Sequence, residues 1–386
     1  MEKIKRLLSI DLPGNQSAFL WGPRKTGKTS LLRDQFPESI CIDLLQTDTF
    51  LEYSKSPFLL RERLFAQKDK ATRRPVIIDE VQKVPQLLDE VHWLIENSEI
   101  NFILCGSSAR KLKRGQANLL GGRAWRFELF PLVSKEVENL NLLQALNRGL
   151  IPSHYLQGGY KRSMKGYVQD YLKEEVFNEG LTRNIPAFSR FFEAMGYGHG
   201  QLVNYANIAR ACGVSAKTVK EYYQILVDTL LGDFVPPFKR RQERQVISKA
   251  PKFYLFDTGV AGAIRKQHIG EGRGEQFGSA FEHFIYMELR AHRSYHELDY
   301  DIHFWRTKSG LEVDFILGNG EVAVEVKGSN QVDRRALRPM KTFMELYGPR
   351  QGIVVCNERQ ERIHSNIRIM PWRVFLKELW QDTIIY

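Results

Sequence analysis

Gly22-Pro23-Arg24-Lys25-Thr26-Gly27-Lys28-Thr29 follows a short apolar run, residues 17–21, and leads into a helix-like stretch opened by Ser30, Leu31 and Leu32. A glycine-rich loop between a strand and a helix is built to cradle phosphate. Gly22 and Gly27 permit backbone angles that other residues resist. The loop N–H groups then point inward at phosphate oxygens, reinforced by the helix N-terminus. Lys28 is placed to reach the β- and γ-phosphates, and the Thr29 hydroxyl to bind Mg²⁺.

A second apolar run supports this reading. Pro75-Val76-Ile77-Ile78-Asp79-Glu80 reads as a buried parallel strand ending in two acids. Asp79 would hold the metal, usually through water, and Glu80 would polarise the attacking water. The expected cofactors are therefore ATP and Mg²⁺. The expected nucleotide contacts are Gly22, Pro23, Arg24, Lys25, Thr26, Gly27, Lys28, Thr29 and Ser30. Ser39-Ile40-Cys41-Ile42-Asp43 and Asn101-Phe102-Ile103-Leu104-Cys105 are further strand candidates. Ser107 or Ser108, leaving the latter, would sense the γ-phosphate, with Ser107 preferred. Arg126-Phe127-Glu128-Leu129-Phe130 suggests a fifth strand.

An extra strand thus separates the phosphate-loop strand from the acidic one, and the order of elements resembles the AAA+ class of P-loop ATPases. The phrases Gly-Pro-Arg-Lys-Thr-Gly-Lys-Thr (22–29), Ile-Ile-Asp-Glu-Val-Gln-Lys-Val-Pro (77–85) and Leu-Leu-Gly-Gly-Arg-Ala-Trp-Arg (119–126) resemble one prokaryotic AAA+ family. The resemblance implies an arginine that completes the γ-phosphate site, in cis or from a neighbouring subunit. Arg123 is the first match and Arg110 the second.

After Gly149 the pattern turns helical, with 167–177 and 188–195 apolar at helical spacing. These helices would form a lid on the nucleotide. Residues 203–211 read as a helix, Cys212-Gly213-Val214 as a turn, and 216–230 as a second helix capped by Ser215. Lys217, Thr218 and Lys220 lie on its early outward part, which in a DNA reader enters the major groove. The basic run Pro237-Phe238-Lys239-Arg240-Arg241-Gln242-Glu243-Arg244 would be a phosphate-gripping wing.

In the last third, 277–289 reads as an amphipathic helix containing Glu282. Strands are expected at 302–306, 311–316 and 322–327, with Gly318-Asn319-Gly320 as a hairpin turn. Alternation places Glu325 and Lys327 on one face, with Asp314 near the matching level of the partner strand. Two carboxylates and an amine converge, and Glu282 approaches from the helix. Asp314 and Glu325 are candidate Mg²⁺ ligands, and Lys327 would orient a water or offset charge. Asp314 followed by Glu325-x-Lys327 resembles the PD-(D/E)XK nuclease superfamily. Phe281-Glu282-His283-Phe284, Trp305-Arg306 and Glu312-Val313-Asp314-Phe315 resemble the uncharacterised C-terminal domain usually fused to that AAA+ family. Residues 332–347 suggest a basic helix, and 352–355 another core strand.

The 386 residues suit two or three domains, and 43% hydrophobic content supplies their cores. The net charge of +11 favours nucleic acid as a partner. The four cysteines show no metal-ligand spacing, and Cys41 and Cys105 read as buried free thiols. No apolar run has the length of a bilayer span, and the start lacks an apolar signal core, so a cytoplasmic protein without a membrane partner is expected.

The resulting expectation is an α/β protein in three parts. A P-loop AAA+ parallel-sheet module spans 1–145, a helical lid with a winged-helix-like middle spans 146–248, and a restriction-endonuclease-like α/β module spans 249–386. It would be an ATP-hydrolysing protein that processes or remodels DNA and possesses a capacity to form a homo-oligomer. The alternative is an ATP-controlled binding switch whose nuclease-like module does not cut.

Overall fold

The computed structural model describes residues 4–14, 16–108, 120–171, 185–239 and 250–386. The chain divides into two compact units, Lys5–Pro131 with Asp228–Leu231, and Leu132–Val227 with Gly232–Tyr386.

The first unit is built on a parallel sheet. Its strands are β1 (Ser17–Trp21), β2 (Cys41–Asp43), β3 (Val76–Asp79), β4 (Phe102–Gly106) and β5 (Ala124–Glu128), in the order β2-β3-β4-β1-β5. Every position of β1, β3 and β4 is buried, which is why these segments read as continuous apolar runs rather than alternating ones. β4 does lie between the loop strand β1 and the acid strand β3. The register sets Trp21 opposite Gly106 and Asp79 opposite Cys105. The carboxyl ends of three strands therefore meet at one edge, with the glycine-rich loop, the acid pair and Ser107 immediately beyond them.

Two expectations shift. The fifth strand occupies Ala124–Glu128, because Leu129 N donates to Trp21 O at 2.7 Å and Phe130 has already left the ladder to present its carbonyl to Arg6. Cys105 is buried but Cys41 is exposed. β2 is an edge strand, and there Ile42 turns inward while Cys41 turns out.

The second unit opens with helices. Asn204 caps the helix Tyr205–Cys212, accepting from Asn207 N at 3.0 Å. Gly213 turns the chain at φ 68°, a conformation that suits a residue without a side chain. The helix Ala216–Asp228 follows, with Ser215 Oγ accepting from Thr218 N at 3.1 Å. Its inner face is aromatic: Tyr223 packs against Phe191, Phe234 and Phe253 at ring separations of 4.8–5.5 Å. β6 (Gly232–Val235) pairs antiparallel with β7 (Lys252–Leu255). This ribbon straddles the 248/249 boundary drawn from the sequence.

The expected wing at 237–244 is changed at its start. Phe238 N donates to Phe304 O at 2.7 Å, and Phe304 N to Pro236 O at 3.1 Å. Phe238 is buried against Phe343 and Tyr347. Burial of this ring ties the segment to a sheet edge instead of leaving it projecting. Lys239 is exposed; Arg240 and Arg241 lie outside the described residues.

That sheet comprises β8 (Ile302–Arg306), β9 (Glu312–Leu317), β10 (Val322–Lys327), β11 (Gln351–Cys356), β12 (Arg362–His364) and β13 (Ile367–Pro371), in the order β12-β13-β11-β10-β9-β8. β8, β9 and β10 form an antiparallel meander, and β10 runs parallel to β11. The helix Glu275–Tyr295 covers one face, packing Phe277, Phe281 and Phe284 with Val322, Val324 and Val326. The helix Arg338–Tyr347 covers the other, packing Met340 and Phe343 with Val313, Ile316 and Ala323. The basic segment expected at 332–347 is a short turn, Arg334–Leu337, followed by this helix. Among the described residues no helix is long and apolar enough to cross a membrane.

Candidate functional site

In the first unit the loop leaves β1 at Gly22, where a Cβ would sit 2.5 Å from Leu129 O. Only glycine lets the chain pass that carbonyl. Gly27 holds φ 96° at the start of the helix Lys28–Gln35. The first intrahelical bond is Leu31 N to Gly27 O, so the N–H groups of Lys28, Thr29 and Ser30 lie ahead of the ladder and face the loop end. Lys28 is buried, and its Nζ donates to Gly22 O at 2.7 Å and Pro23 O at 3.0 Å. Thr26 Oγ1 donates to Pro23 O at 2.8 Å. Arg24 is half-buried, Lys25 is exposed at φ 64°, and the Ser30 side chain is exposed.

Thr29 Oγ1 donates to Asp79 Oδ2 at 2.7 Å. A hydroxyl and a carboxylate in contact at the mouth of a phosphate loop are the hard oxygen donors that Mg²⁺ takes, with water and phosphate completing its shell. Glu80 follows in the left-handed region, φ 58° and ψ 41°, and its N–H donates to Asp79 Oδ1 at 3.0 Å. The strained backbone lets two successive acids serve one edge, the first turned to Thr29 and the second to Gln82. Gln82 Nε2 lies 2.5 Å from Glu80 Oε2 and 3.2 Å from Ser107 Oγ. Gly106 makes room for it, since a Cβ there would stand 2.3 Å from Gln82 Oε1.

Sequence reasoning missed Gln82 and Arg6. Arg6 donates to Thr26 O at 2.5 Å and to Phe130 O at 2.8 Å, fastening the loop to the segment after β5. Neither residue stands in a periodic pattern that would have marked it. Arg123 is a correction as a cis γ-phosphate arginine. It precedes Ala124, which pairs with Ser17 at the start of β1, whereas the loop follows the other end. The strand's length, roughly 13 Å, separates the two, and the Arg123 guanidinium is ion-paired to Glu96. Arg110 lies outside the described residues.

In the second unit the structure brings together Glu282, Asp314, Glu325 and Lys327. Asp314 Oδ2 accepts from Val326 N at 2.8 Å, and Lys327 Nζ pairs with Glu325 Oε1. Glu325 Oε2 is buried with no hydrogen-bond partner. An orphaned carboxylate oxygen beside a second buried carboxylate fits a divalent cation held by Asp314 and Glu325. Burial, then Glu325 and Glu282, holds the Asp314 carboxyl well above the usual carboxylate range. Burial also raises Glu325, opposed by Lys327.

Lys252, another residue unmarked in the sequence, enters this centre from β7. Its Nζ stands 2.6 Å from Glu312 Oε1, 3.0 Å from Glu282 Oε1 and 3.9 Å from Asp314 Oδ1. Tyr254 donates its hydroxyl to Glu282, and Arg306 pairs with Glu312 at 2.9 Å. Burial pulls the Lys252 ammonium down, but Glu282, Tyr254, Asp314 and Glu312 outweigh it and hold it well above its ordinary value. Lys252 stays charged and compensates part of the acidic cluster.

Of the expected DNA contacts, Lys217 and Lys220 are exposed on the second helix of the helix–turn–helix. Lys220 Nζ lies 5.3 Å from the Tyr205 ring centre. The Thr218 hydroxyl is engaged with Ser215 Oγ at 2.9 Å, so it serves the cap.

Residues 14–138 match the AAA domain family. Residues 139–268 match a domain of unknown function (DUF8612), and 277–375 another (DUF4143). An uncharacterized protein of Mycobacterium tuberculosis is 25% identical over 366 residues, 91% of this chain and 79% of that one. One of Haemophilus influenzae is 21% identical over 250 residues, 60% of each. Among solved structures, the Walker-type ATPase of Pyrococcus abyssi aligns over 64% of this chain and 90% of its own, at 16% identity and a TM-score of 0.42. A signal transduction ATPase with numerous domains from Pyrococcus horikoshii aligns over 73% and 48%, at 14% identity and a TM-score of 0.20. The match over 14–138, joined to the loop geometry, supports a P-loop ATPase domain of the AAA type in the first unit, with ATP binding and hydrolysis there.

Proposed function

We propose that this protein hydrolyses ATP at the loop 22–29 and uses that cycle to control a second unit that acts on DNA. The observation that carries the first half is the contact of Thr29 with Asp79, set beside Glu80 and Gln82 at the carboxyl edge of the sheet. Thr29 and Asp79 would hold Mg²⁺, which when bound offsets phosphate charge. Lys28 and the loop N–H groups bind the β- and γ-phosphates. Glu80 polarises the attacking water while Gln82 orients its carboxylate, and Ser107 senses the γ-phosphate. The decisive experiment pairs nucleotide binding with turnover: Lys28→Ala loses both, and Glu80→Gln retains binding and loses turnover. Turnover by Glu80→Gln at the parent rate would remove Glu80 from this role.

The DNA half is supported by the net charge of +11, by exposed Lys217, Lys220 and Lys239, and by the unpartnered Glu325 Oε2. With Mg²⁺ on Asp314 and Glu325 the centre would polarise a phosphodiester, and Lys327 would orient the water. A second reading is favoured by Lys252: an ammonium already meets Glu282, Glu312 and Asp314, which suits a platform that grips without cutting. Mg²⁺-dependent nicking that disappears in Glu325→Ala, with ATP turnover intact, selects the nuclease. Salt-sensitive DNA binding without nicking selects the platform. Absence of any DNA binding removes this half altogether.

A further inference from the structure

Two histidine clusters involve the helix Glu275–Tyr295, and their hydrogen-bond accounts differ. In the first, His283 Nε2 lies 2.7 Å from Leu255 O and so carries the proton. His283 Nδ1 then accepts from His199 Nε2 at 3.0 Å, and His199 Nδ1 accepts from Leu255 N at 3.2 Å. Every ring nitrogen meets a complementary partner, and two neutral rings suffice.

The second cluster does not close this way. Tyr300 donates its single hydroxyl proton to Leu289 O at 2.8 Å. His292 Nδ1, 3.1 Å from the Tyr300 oxygen, must therefore be the donor in that contact. In a neutral ring this leaves His292 Nε2 as a lone pair, and it faces Asp382 Oδ1 at 2.9 Å. His296 Nδ1 is aimed at the same oxygen from 2.6 Å. The three ligand atoms lie within 4.8 Å of one another.

We propose that His292, His296 and Asp382 bind one divalent transition-metal ion of the zinc type. Two imidazoles and a carboxylate are donors that Zn²⁺ favours, and a tetrahedral shell spaces such donor atoms by roughly 3.3 Å. The spacing of four residues puts both rings on one side of the helix. His292 is fully buried, and the Tyr300 contact on Nδ1 directs its Nε2 to the ion, as an outer partner does for a metal-bound histidine. Asp382 is held at φ 57° by Asp382 N to Leu379 O at 3.0 Å and Thr383 N to Glu378 O at 3.2 Å. That unfavourable backbone turns its carboxylate back to the helix. Trp380 walls the cluster, 5.6 Å from both rings. Side-chain exposures of 43% for Asp382 and 23% for His296 leave the fourth position to water. The ion would clip the segment after Trp380, where Ile384 and Ile385 are buried, onto the long helix.

The test is a Co²⁺ titration of chelator-stripped full-length protein, without nucleotide and with excess Mg²⁺ to occupy oxygen-only sites. Expected are one equivalent with the intense visible bands of a four-coordinate nitrogen-ligated ion, displacement by Zn²⁺, and a rise in melting temperature with Zn²⁺. His296→Gln and Asp382→Asn, both at partly exposed positions, should each weaken binding by roughly 10–100-fold or more, and Tyr300→Phe by about tenfold. Absence of saturable Co²⁺ or Zn²⁺ binding overturns the proposal and leaves a charged His292–Asp382 pair. Binding that His296→Gln and Asp382→Asn leave unchanged overturns it equally, because the ion then sits elsewhere.

Discussion

Gln82 places its amide nitrogen 2.5 Å from Glu80 Oε2, so the residue that braces the carboxylate proposed to polarise water lies only two positions further along the chain. The same nitrogen reaches Ser107 Oγ at 3.2 Å. Replacing Gln82 by Ala should leave nucleotide affinity within about twofold and lower kcat by about 10–100-fold, less than the loss of about 10²–10⁴-fold in Glu80→Gln. Steady-state turnover beside fluorescent-nucleotide binding separates the two. Equal kcat in Gln82→Ala and the parent would show that Glu80 needs no such partner.

Gly22 is the tightest point of the phosphate loop. Gly22→Ala pushes a methyl group to 2.5 Å from Leu129 O, a backbone atom tied by its own N–H to Trp21 O. The strand end cannot yield cheaply. Nucleotide affinity should fall at least tenfold, and the first unit should lose about 1–3 kcal/mol in denaturant melts. Gly14→Ala, which meets nothing within 4 Å, is the matched control.

Lys252 is buried among three carboxylates. Lys252→Met leaves them facing one another without their cation and should cost about 3–5 kcal/mol. Adding Glu282→Gln removes one of those charges and its repulsion with Asp314, so the double variant should recover part of the loss. Urea melts of the four proteins in the cycle measure the coupling.

Glu288 supplies a pH-dependent term. It accepts from Ser134 N at 2.8 Å, Ser134 Oγ at 2.7 Å and Trp380 Nε1 at 2.7 Å. Burial nevertheless lifts its carboxyl from 4.5 to about 7, against the lowering effect of these bonds. The folded chain therefore holds a proton that the unfolded chain has released between these values. Stability from this group is fully present below pH 4.5 and is lost as pH rises to about 7, in total about 3 kcal/mol. Glu288→Gln should remove that slope, although Trp380 then loses its acceptor. His283, lowered from 6.5 to about 4 chiefly by burial, acts in the opposite sense, and it cancels in the difference between wild type and variant. Parallel slopes for the two proteins from pH 4.5 to 7 would refute the assignment.

Much of the first unit was legible because its signals are local. Glycines at 22 and 27, the lysine and threonine after them, and an apolar run ending in Asp79-Glu80 each act through their own backbone or immediate neighbours. The hairpin turn at 318–320 and the carboxylate spacing of β9 and β10 were legible for the same reason. Arg123 lies away from the loop of its own chain because strand direction, set by pairing to β1, decides which end of the sheet a residue occupies. The start of the supposed wing was misread because Phe238 found a core to fill.

By itself the sequence determined the phosphate cradle, its acidic strand, the helix–turn–helix and the pairing of Asp314 with Glu325-x-Lys327. Each of these is written in residue types at short spacings, where backbone geometry leaves little choice. Only the tertiary structure decided that Gln82 joins Glu80 to Ser107, that Lys252 enters the carboxylate cluster, and that Asp382 returns to His292 across 90 positions. Those contacts come from strand order and helix packing. Burial then makes them consequential, because a charge or lone pair removed from water must meet a partner from wherever in the chain the fold supplies one.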